Sequence, residues 1–201
     1  MDAFADQSLH AVLDAVAAQQ PAPGGGSSAA WSGAMGAGLV EMAASFTLAR
    51  PKYAGVHRRM ADVRREAKSL RRTLVDLAER DAVGYEPVLA AMRLPEKHPA
   101  RASRLEQARS DAAEVPIAVA EASASVAELA AEVARTGSIP LRGDAITGAV
   151  LAEAATQAAA RLVEINLVGR VDERLARAAE ATRRAAAARD DALRVREEVM
   201  R

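Results

Sequence analysis

The chain has 201 residues, its 27 Lys and Arg are balanced by 27 Asp and Glu, and it contains no cysteine. The balanced charge argues against a nucleic-acid partner, and the missing cysteines exclude disulfides, thiolate metal sites and a cysteine nucleophile. The length predicts a single domain over residues 1–201. Half of the residues are hydrophobic but only 2% are aromatic, so we expect an all-α bundle whose helices pack closely on alanine and glycine.

The N-terminal segment does not combine basic residues with an apolar stretch, so we expect no signal peptide. Residues 29–48 form the most apolar stretch, and its length is sufficient to span a bilayer. Its glycines, serines and one glutamate are more typical of a buried helix. We therefore expect no membrane contact, and the absence of cysteine fits a cytoplasmic location.

A first helix is predicted from Asp6 to Gln19, with its apolar residues on one face. It is followed by a loop rich in proline and glycine, residues 21–28, in which prolines exclude helix and glycines allow close approach of the backbone. Ser27 or Ser28 is predicted to cap the next helix, whose first N–H groups would form a cradle for an anion or a polar ligand. A plain break between two helices gives the same pattern, and both interpretations stay open at this point.

The second helix is predicted from Ser28 to Ala49, before Pro51. Its glycines at positions 33, 36 and 38 cost about 1 kcal/mol each relative to alanine. Such a cost is tolerable where another backbone or a ligand comes close.

The third helix has the clearest pattern, because apolar residues recur at alternating spacings of four and three, as in a coiled-coil seam. They are Val56, Met60, Val63, Ala67, Leu70, Leu74 and Leu77. The same spacing then places Asp81 and Gly84 on the apolar stripe. A carboxylate there is costly unless it is paired or hydrogen-bonded. Asp81 is therefore a candidate functional residue, with a structural bond across the bundle as the equal alternative.

The rest of the chain predicts three more helices. Asp144 is predicted to cap the start of a helix. The side-chain amide of Asn166 is predicted to bond a loop carbonyl group. Arg142 is predicted to lie in a loop and to face water. The histidines are far apart and none follows a glutamate at the i−3 position, so we expect no metal site. The predicted boundaries are Leu94 for the end of the third helix, Ala102–Arg135 with a kink or restart at Pro116, Asp144–Val168 and Asp172–Met200.

Several short motifs extend across almost the whole chain, and the Pro/Gly loop is the most specific of them. They are Pro21-Ala22-Pro23-Gly24-Gly25-Gly26-Ser27, Gly33-Ala34-Met35-Gly36-Ala37, Lys52-Tyr53, Leu70-Arg71-Arg72-Thr73-Leu74, Asp81-Ala82 with Tyr85, Val115-Pro116, Asp144-Ala145 and Ile165-Asn166-Leu167. With these motifs the chain resembles the cyclodeaminase/cyclohydrolase family. That family includes the cyclodeaminase half of formiminotransferase-cyclodeaminase and stand-alone bacterial methenyltetrahydrofolate cyclohydrolases.

The resemblance implies an up-and-down bundle of five to six helices that forms a homodimer and binds a tetrahydrofolate derivative. It implies Asp81 as the catalytic acid, the residue that the apolar spacing already places on the core stripe. Neither family reaction requires a metal or a redox cofactor. The candidate substrate contacts are Pro23, Gly24, Gly25, Gly26, Ser27, Lys52, Tyr85, Arg142, Asp144 and Asn166.

Because the chain stands alone, methenyltetrahydrofolate cyclohydrolase is the first expectation, with formiminotetrahydrofolate cyclodeaminase as the alternative. A ligand-binding or structural bundle without activity is the alternative of another class. It draws support from four positions that depart from the family pattern, each of which replaces a polar group. These are Val83, Ser138, Pro140 and Leu162.

Overall fold

The structure is a computed structural model that describes residues 3–195. It has eight α-helices over that range, with three short 3₁₀ turns and no strand among the described residues, which confirms the all-α prediction. The end of the predicted last helix, residues 196–200, lies outside the described residues. The helices are α1 Leu9–Ala17, α2 Gly25–Leu48, α3 His57–Gly84, α4 Glu86–Met92, α5 Arg101–Ala112, α6 Glu114–Thr136, α7 Arg142–Asn166 and α8 Glu173–Leu193.

Five long helices form the bundle, and α6 packs against the other four, α2, α3, α7 and α8. Ion pairs show the directions of the helices. Arg59 near the start of α3 bonds Glu132 near the end of α6, so these helices are antiparallel. Arg177 and Arg184 of α8 bond glutamates in the same order along α6, so these two are parallel. The chain therefore runs up and down through α2, α3, α6, α7 and α8.

The bundle core is built mostly of buried alanine and valine, with few large side chains. Helices α2 and α7 come closest where Gly36 faces Gly148. A Cβ on Gly36 would lie 2.8 Å from the Gly148 carbonyl oxygen, a distance that no side chain tolerates. The glycines of α2 therefore serve helix packing here. Within residues 3–195 no helix is both long enough and apolar enough to cross a bilayer.

The apolar seam of α3 is confirmed. Met60, Val63, Ala67 and Leu74 are fully buried, and the stripe leads to a partly buried Asp81. The expected continuation to Leu94 is wrong, because α3 ends at Gly84 and a separate helix α4 begins at Glu86. Pro87 is the second residue of α4. Because proline has no N–H to donate, it fits the first turn of a helix but not the interior.

Several predicted boundaries are also wrong. Helix α1 begins at Leu9, where the Ser8 hydroxyl oxygen accepts a hydrogen bond from the N–H of Ala11. Helix α2 begins at Gly25 with Gly24 in the N-cap position, so neither Ser27 nor Ser28 is the cap. Gly25 and Gly26, the last two glycines of the loop, thus belong to the first helical turn.

The second half of the chain departs from the prediction in smaller ways. The restart near Pro116 is confirmed, with Ala113 between α5 and α6. The capping role of Asp144 is wrong: Leu141 occupies the N-cap position, and Asp144 is the third residue of α7. Helix α7 ends at Asn166, two residues before the predicted end.

Candidate active site

A cleft of about 240 Å³ opens where the start of α2 meets the ends of α3, α5 and α7. It joins much of what the sequence singled out, because the glycine loop and Asp81 are 54 residues apart in the chain but adjacent in space. The lining includes Pro21, Gly24, Gly25, Gly26, Asp81, Tyr85, Asp111, Leu162 and Asn166.

Asp81 is held by the first turn of α2. Its Oδ2 atom accepts a hydrogen bond from the Ser27 backbone N–H at 2.7 Å, and the Ser27 hydroxyl oxygen lies 3.0 Å from the same atom. The positive end of the α2 dipole also faces this carboxylate. Burial raises the pKa of Asp81, while the two contacts from Ser27 lower it, and the net pKa is above the ordinary value for an aspartate.

Gly26 lies against the Asp81 carboxyl group. A Cβ built on Gly26 would be 2.6 Å from Oδ2 and still closer to Oδ1 and Cγ. A side chain at position 26 is therefore incompatible with the observed orientation of Asp81. At Gly25, by contrast, the nearest atom to an added Cβ is Cδ1 of Leu162 at 4.0 Å, an ordinary contact.

The predicted cradle at the start of α2 is thus partly used by the protein itself. The Ser27 N–H bonds Asp81, and the Ser28 hydroxyl donates to the Gly24 carbonyl oxygen at 2.9 Å. No other described residue accepts a hydrogen bond from the N–H groups of Gly25 or Gly26, and both glycines line the cleft. Ser27 is fully buried and is not among the lining residues.

Two further predicted residues lie at the cleft. Tyr85 lines it and is 40% exposed. Asn166 also lines it, and its side-chain amide donates to the Ala112 carbonyl oxygen at 3.3 Å. That bond is the structural alternative weighed for Asn166, and it ties the end of α7 to the end of α5.

Lys52, Arg142 and Asp144 lie elsewhere, around the C-terminal end of α2. Thr47 accepts a hydrogen bond there from the N–H of Ser138 at 2.9 Å, just before the start of α7. At 1.5 Å per residue, about 32 Å of helix separates Gly26 from Thr47. Within one chain, these three residues are therefore not brought to Asp81.

Tyr53 belongs to the same distant end of the bundle. Its hydroxyl oxygen accepts a hydrogen bond from the Ile139 N–H at 3.0 Å, and the Lys52 ammonium lies 5.1 Å from its ring centre. Burial raises the pKa of Tyr53, but the hydrogen bonds from Ile139 and Ser138 and the charge of Lys52 outweigh it, so the pKa is lower than usual.

Only one of the four departures from the family pattern alters the cleft. Leu162 lines the cleft and contributes an apolar wall. Ser138 contacts Arg50 at the distant end of α2, and Pro140 lies in the adjoining 3₁₀ turn. Val83 is 72% exposed on α3 and is not among the lining residues.

Sequence reasoning missed a second carboxylate at the cleft, Asp111. It lies near the end of α5, and its Oδ1 accepts a hydrogen bond from the Gln107 side chain at 2.8 Å. The polar surroundings of Asp111 in the sequence give no reason to single it out. Among the residues that the structure describes, no three His, Asp or Glu side chains are grouped so as to hold a metal ion.

The chain is similar to known proteins over most of its length. Residues 8–185 match the family described as Formiminotransferase-cyclodeaminase. The methenyltetrahydrofolate cyclohydrolase of Methylorubrum extorquens is 34% identical over 173 residues, which cover 84% of this chain and 83% of that protein. The formimidoyltransferase-cyclodeaminase of Sus scrofa is 31% identical over 169 residues, but these cover only 31% of that longer protein.

A solved structure is also similar. The crystal structure of formiminotetrahydrofolate cyclodeaminase from Thermotoga maritima matches with a TM-score of 0.86 at 28% identity, covering 95% of this chain and 96% of that one. The family model, the sequence relatives and the fold agree, and they confirm the resemblance seen in the motifs. The chain belongs to the formiminotransferase-cyclodeaminase family.

Proposed function

We propose that this protein is a methenyltetrahydrofolate cyclohydrolase, which adds water to the methenyl bridge between N5 and N10 of tetrahydrofolate. The observation that carries the proposal is the Asp81 carboxyl group, fixed by the N-terminus of α2 at the cleft and partly removed from water. The Methylorubrum relative, matched over most of both chains, bears this name.

Asp81 would act as the proton carrier. As water attacks the methenyl carbon, the ionised carboxylate accepts one of its protons, which leaves a tetrahedral carbon bearing a hydroxyl group. The carboxylic acid then returns the proton to N5, and the bond from carbon to N5 breaks. As the formyl carbonyl forms on N10, the hydroxyl gives its proton to the regenerated carboxylate, which releases it to solvent. A positioned acid and base of this kind contributes on the order of 10²–10⁴ in rate.

The other residues at the cleft would bind and orient the folate. The free N–H groups of Gly25 and Gly26 are suited to an acceptor atom of the ligand, Tyr85 to stacking, and the Asn166 amide to a polar edge. The cleft volume of about 240 Å³ suits the reacting end of the substrate rather than the entire folate. Lys52 and Arg142 are too distant to take part within one chain.

Formiminotetrahydrofolate cyclodeaminase is the second candidate, favoured by the match in fold to the Thermotoga protein of that name. In this reaction N10 attacks the formimino carbon on N5, and ammonia leaves as the methenyl bridge forms. Asp81 would accept the proton that N10 loses and pass it to the departing nitrogen of the protonated formimino group. The same carboxyl group suits both reactions because each passes through a tetrahedral carbon that carries nitrogen atoms.

The test supplies both substrates to the purified protein. A cyclohydrolase accelerates the loss of methenyl absorbance over the spontaneous rate and yields 10-formyltetrahydrofolate by mass spectrometry. A cyclodeaminase instead releases ammonia from the formimino substrate and produces methenyl absorbance. Tight folate binding without either rate change would indicate a binding bundle without activity and would rule out both enzyme proposals.

We also propose that the protein acts as a homodimer, in the cytoplasm, without a metal or redox cofactor. Exposed apolar side chains on α1 and on the outer face of α2 support the dimer, among them Leu9, Met35 and Phe46. The absence of cysteine supports the cytoplasmic location. Addition of a chelator should leave the activity unchanged.

A further inference from the structure

We propose that Ser27 is a positioning residue for Asp81, and that its hydroxyl turns from Asp81 to the Ala78 carbonyl when Asp81 takes up a proton. The inference deepens the proposed function, because it concerns the proton carrier of that same site. It differs from both roles that the sequence predicted for Ser27, those of helix cap and substrate contact.

The geometry of the hydroxyl group gives it two competing acceptors. Its oxygen lies 2.9 Å from the Ala78 carbonyl oxygen and 3.0 Å from Oδ2 of Asp81. Both distances are in the range of O–H···O hydrogen bonds. A serine hydroxyl has one hydrogen and can donate fully to only one of these acceptors at a time. Ser27 is fully buried, so bulk water does not replace either partner.

The charge on Asp81 decides between the two acceptors. When Asp81 is ionised, a bond to Oδ2 is charge-assisted and stronger than a bond to a neutral carbonyl. When Asp81 is protonated at Oδ1, Oδ2 loses its charge and the hydroxyl turns to Ala78. No described residue donates to Oδ1, so Oδ1 is the oxygen left to exchange a proton at the cleft.

The backbone N–H of Ser27 has a different role. It donates to Oδ2 at 2.7 Å, and Oδ2 accepts this bond in both protonation states. The carboxyl group thus keeps one orientation while its proton comes and goes. The N–H sets the position of Asp81, and the hydroxyl sets how readily Asp81 gives up its proton.

Removal of the hydroxyl should make Asp81 hold its proton to higher pH. In Ser27→Ala the anion loses one of its two donors, while the backbone N–H and the helix remain. Loss of a hydrogen bond to a charged group, after allowance for the competing Ala78 acceptor, should raise the midpoint of the Asp81 titration by about one pH unit.

Carbon-13 NMR of the Asp81 carboxyl measures this midpoint in the full chain without substrate, and Asp81→Asn identifies the signal. Ser28→Ala is the matched control, since that hydroxyl is one residue away and donates to Gly24 instead of Asp81. We expect the midpoint to rise by about one unit in Ser27→Ala and to stay in place in Ser28→Ala. Ser27→Thr, which keeps the hydroxyl, should restore the wild-type midpoint. An unchanged or lowered midpoint in folded Ser27→Ala would overturn the inference.

Enzyme kinetics separate this inference from the proposed function. If Asp81 is the base, the acidic limb of kcat/KM against pH should shift in Ser27→Ala by the same amount as the NMR midpoint. If the Asp81 midpoint shifts in Ser27→Ala but the protein has neither activity, the role of Ser27 is supported and the proposed enzyme function is rejected. A shifted pH profile with a fixed Asp81 midpoint would reject the role of Ser27.

Discussion

The orientation and the pKa of the Asp81 carboxyl group are set by its immediate neighbours. Its carboxyl group is anchored on Ser27, lies over a glycine, and sits at the positive end of a helix dipole. Burial nevertheless dominates and raises its pKa. Its location was predictable from sequence, because a carboxylate interrupted a regular apolar stripe. Its partner Ser27 was not, because that contact depends on how α2 and α3 meet in space.

The raised pKa predicts how stability depends on pH. Asp81 binds its proton more tightly in the folded state than in the unfolded state, so its favourable contribution is fully present below about pH 4 and is lost as the pH rises through its raised folded pKa. The free energy of unfolding of wild type, relative to Asp81→Asn, should therefore fall as the pH rises above about 4. Urea unfolding over this range measures it.

Asp76→Asn is a suitable control for this series, because Asp76 is an exposed carboxylate on the same helix. The difference in free energy of unfolding between Asp76→Asn and wild type should change little with pH. A wild type that gains stability over Asp81→Asn as the pH rises would show that the pKa of Asp81 is lowered, against our interpretation.

Gly26→Ala tests the close contact beneath Asp81. The added Cβ would lie 2.6 Å from Oδ2, so the carboxyl group must move. Displacement of a catalytic group by about 1 Å costs on the order of 10²-fold in rate, and we expect a loss of kcat/KM of this size. Gly25→Ala, with its Cβ 4.0 Å from Leu162, should lose less than about tenfold. Equal losses in the two variants would contradict this account.

Among the helices, α2 links the bundle to the site. Its N-terminus holds Asp81, its middle crosses α7 at two glycines, and its end binds Ser138 through Thr47. The long periodic pattern of α3 was sufficient to predict that helix. The start of α2 was predicted too late, because glycines and prolines indicate a break locally. In the fold, Gly25 and Gly26 belong to the first turn, and at Gly26 a side chain would collide with Asp81.

Alanine substitution at two glycines of α2 should have opposite effects on stability, because Gly36 contacts α7 and the nearest atom to Gly38 belongs to Arg71. In Gly36→Ala the Cβ would lie 2.8 Å from the Gly148 carbonyl oxygen, and such overpacking costs about 1–3 kcal/mol. In Gly38→Ala the nearest atom is Cδ of Arg71 at 3.7 Å, so the better helix propensity of alanine should add up to about 1 kcal/mol. Urea unfolding of both variants checks the signs. A stabilised Gly36→Ala would show that the crossing is looser than described.

The molecule as a whole separates two groups of polar residues that the sequence suggested would form one site. The Asp81 cleft lies at one end of α2, while Lys52, Arg142 and Asp144 lie at the other, about 32 Å of helix away. The sequence could not reveal this, because motif order along the chain does not give the direction in which each helix runs. The fold class itself was predictable, since a chain poor in aromatics and rich in alanine forms closely packed helices.

The exposed apolar surface of the bundle predicts a homodimer. Met35 is 54% exposed and Phe46 is 49% exposed on the outer face of α2, and burial of such residues against a second chain would stabilise the assembly. Light scattering at micromolar concentration should give twice the chain mass of 21.1 kDa. Met35→Glu should shift the protein toward monomer, and Val171→Glu, at a fully exposed site away from this face, should not. A wild-type monomer under these conditions would contradict the prediction.

The most direct test of the central claim is the rate of methenyltetrahydrofolate hydrolysis by wild type and by Asp81→Asn, with the spontaneous rate subtracted. The variant should stay folded, because its amide oxygen can still accept the Ser27 N–H bond. We predict that wild type accelerates the loss of methenyl absorbance and that Asp81→Asn lowers kcat by about 10²–10⁴-fold, while Asp76→Asn keeps the wild-type rate. A folded Asp81→Asn that hydrolyses the substrate as fast as wild type would contradict the assignment of Asp81 as the proton carrier.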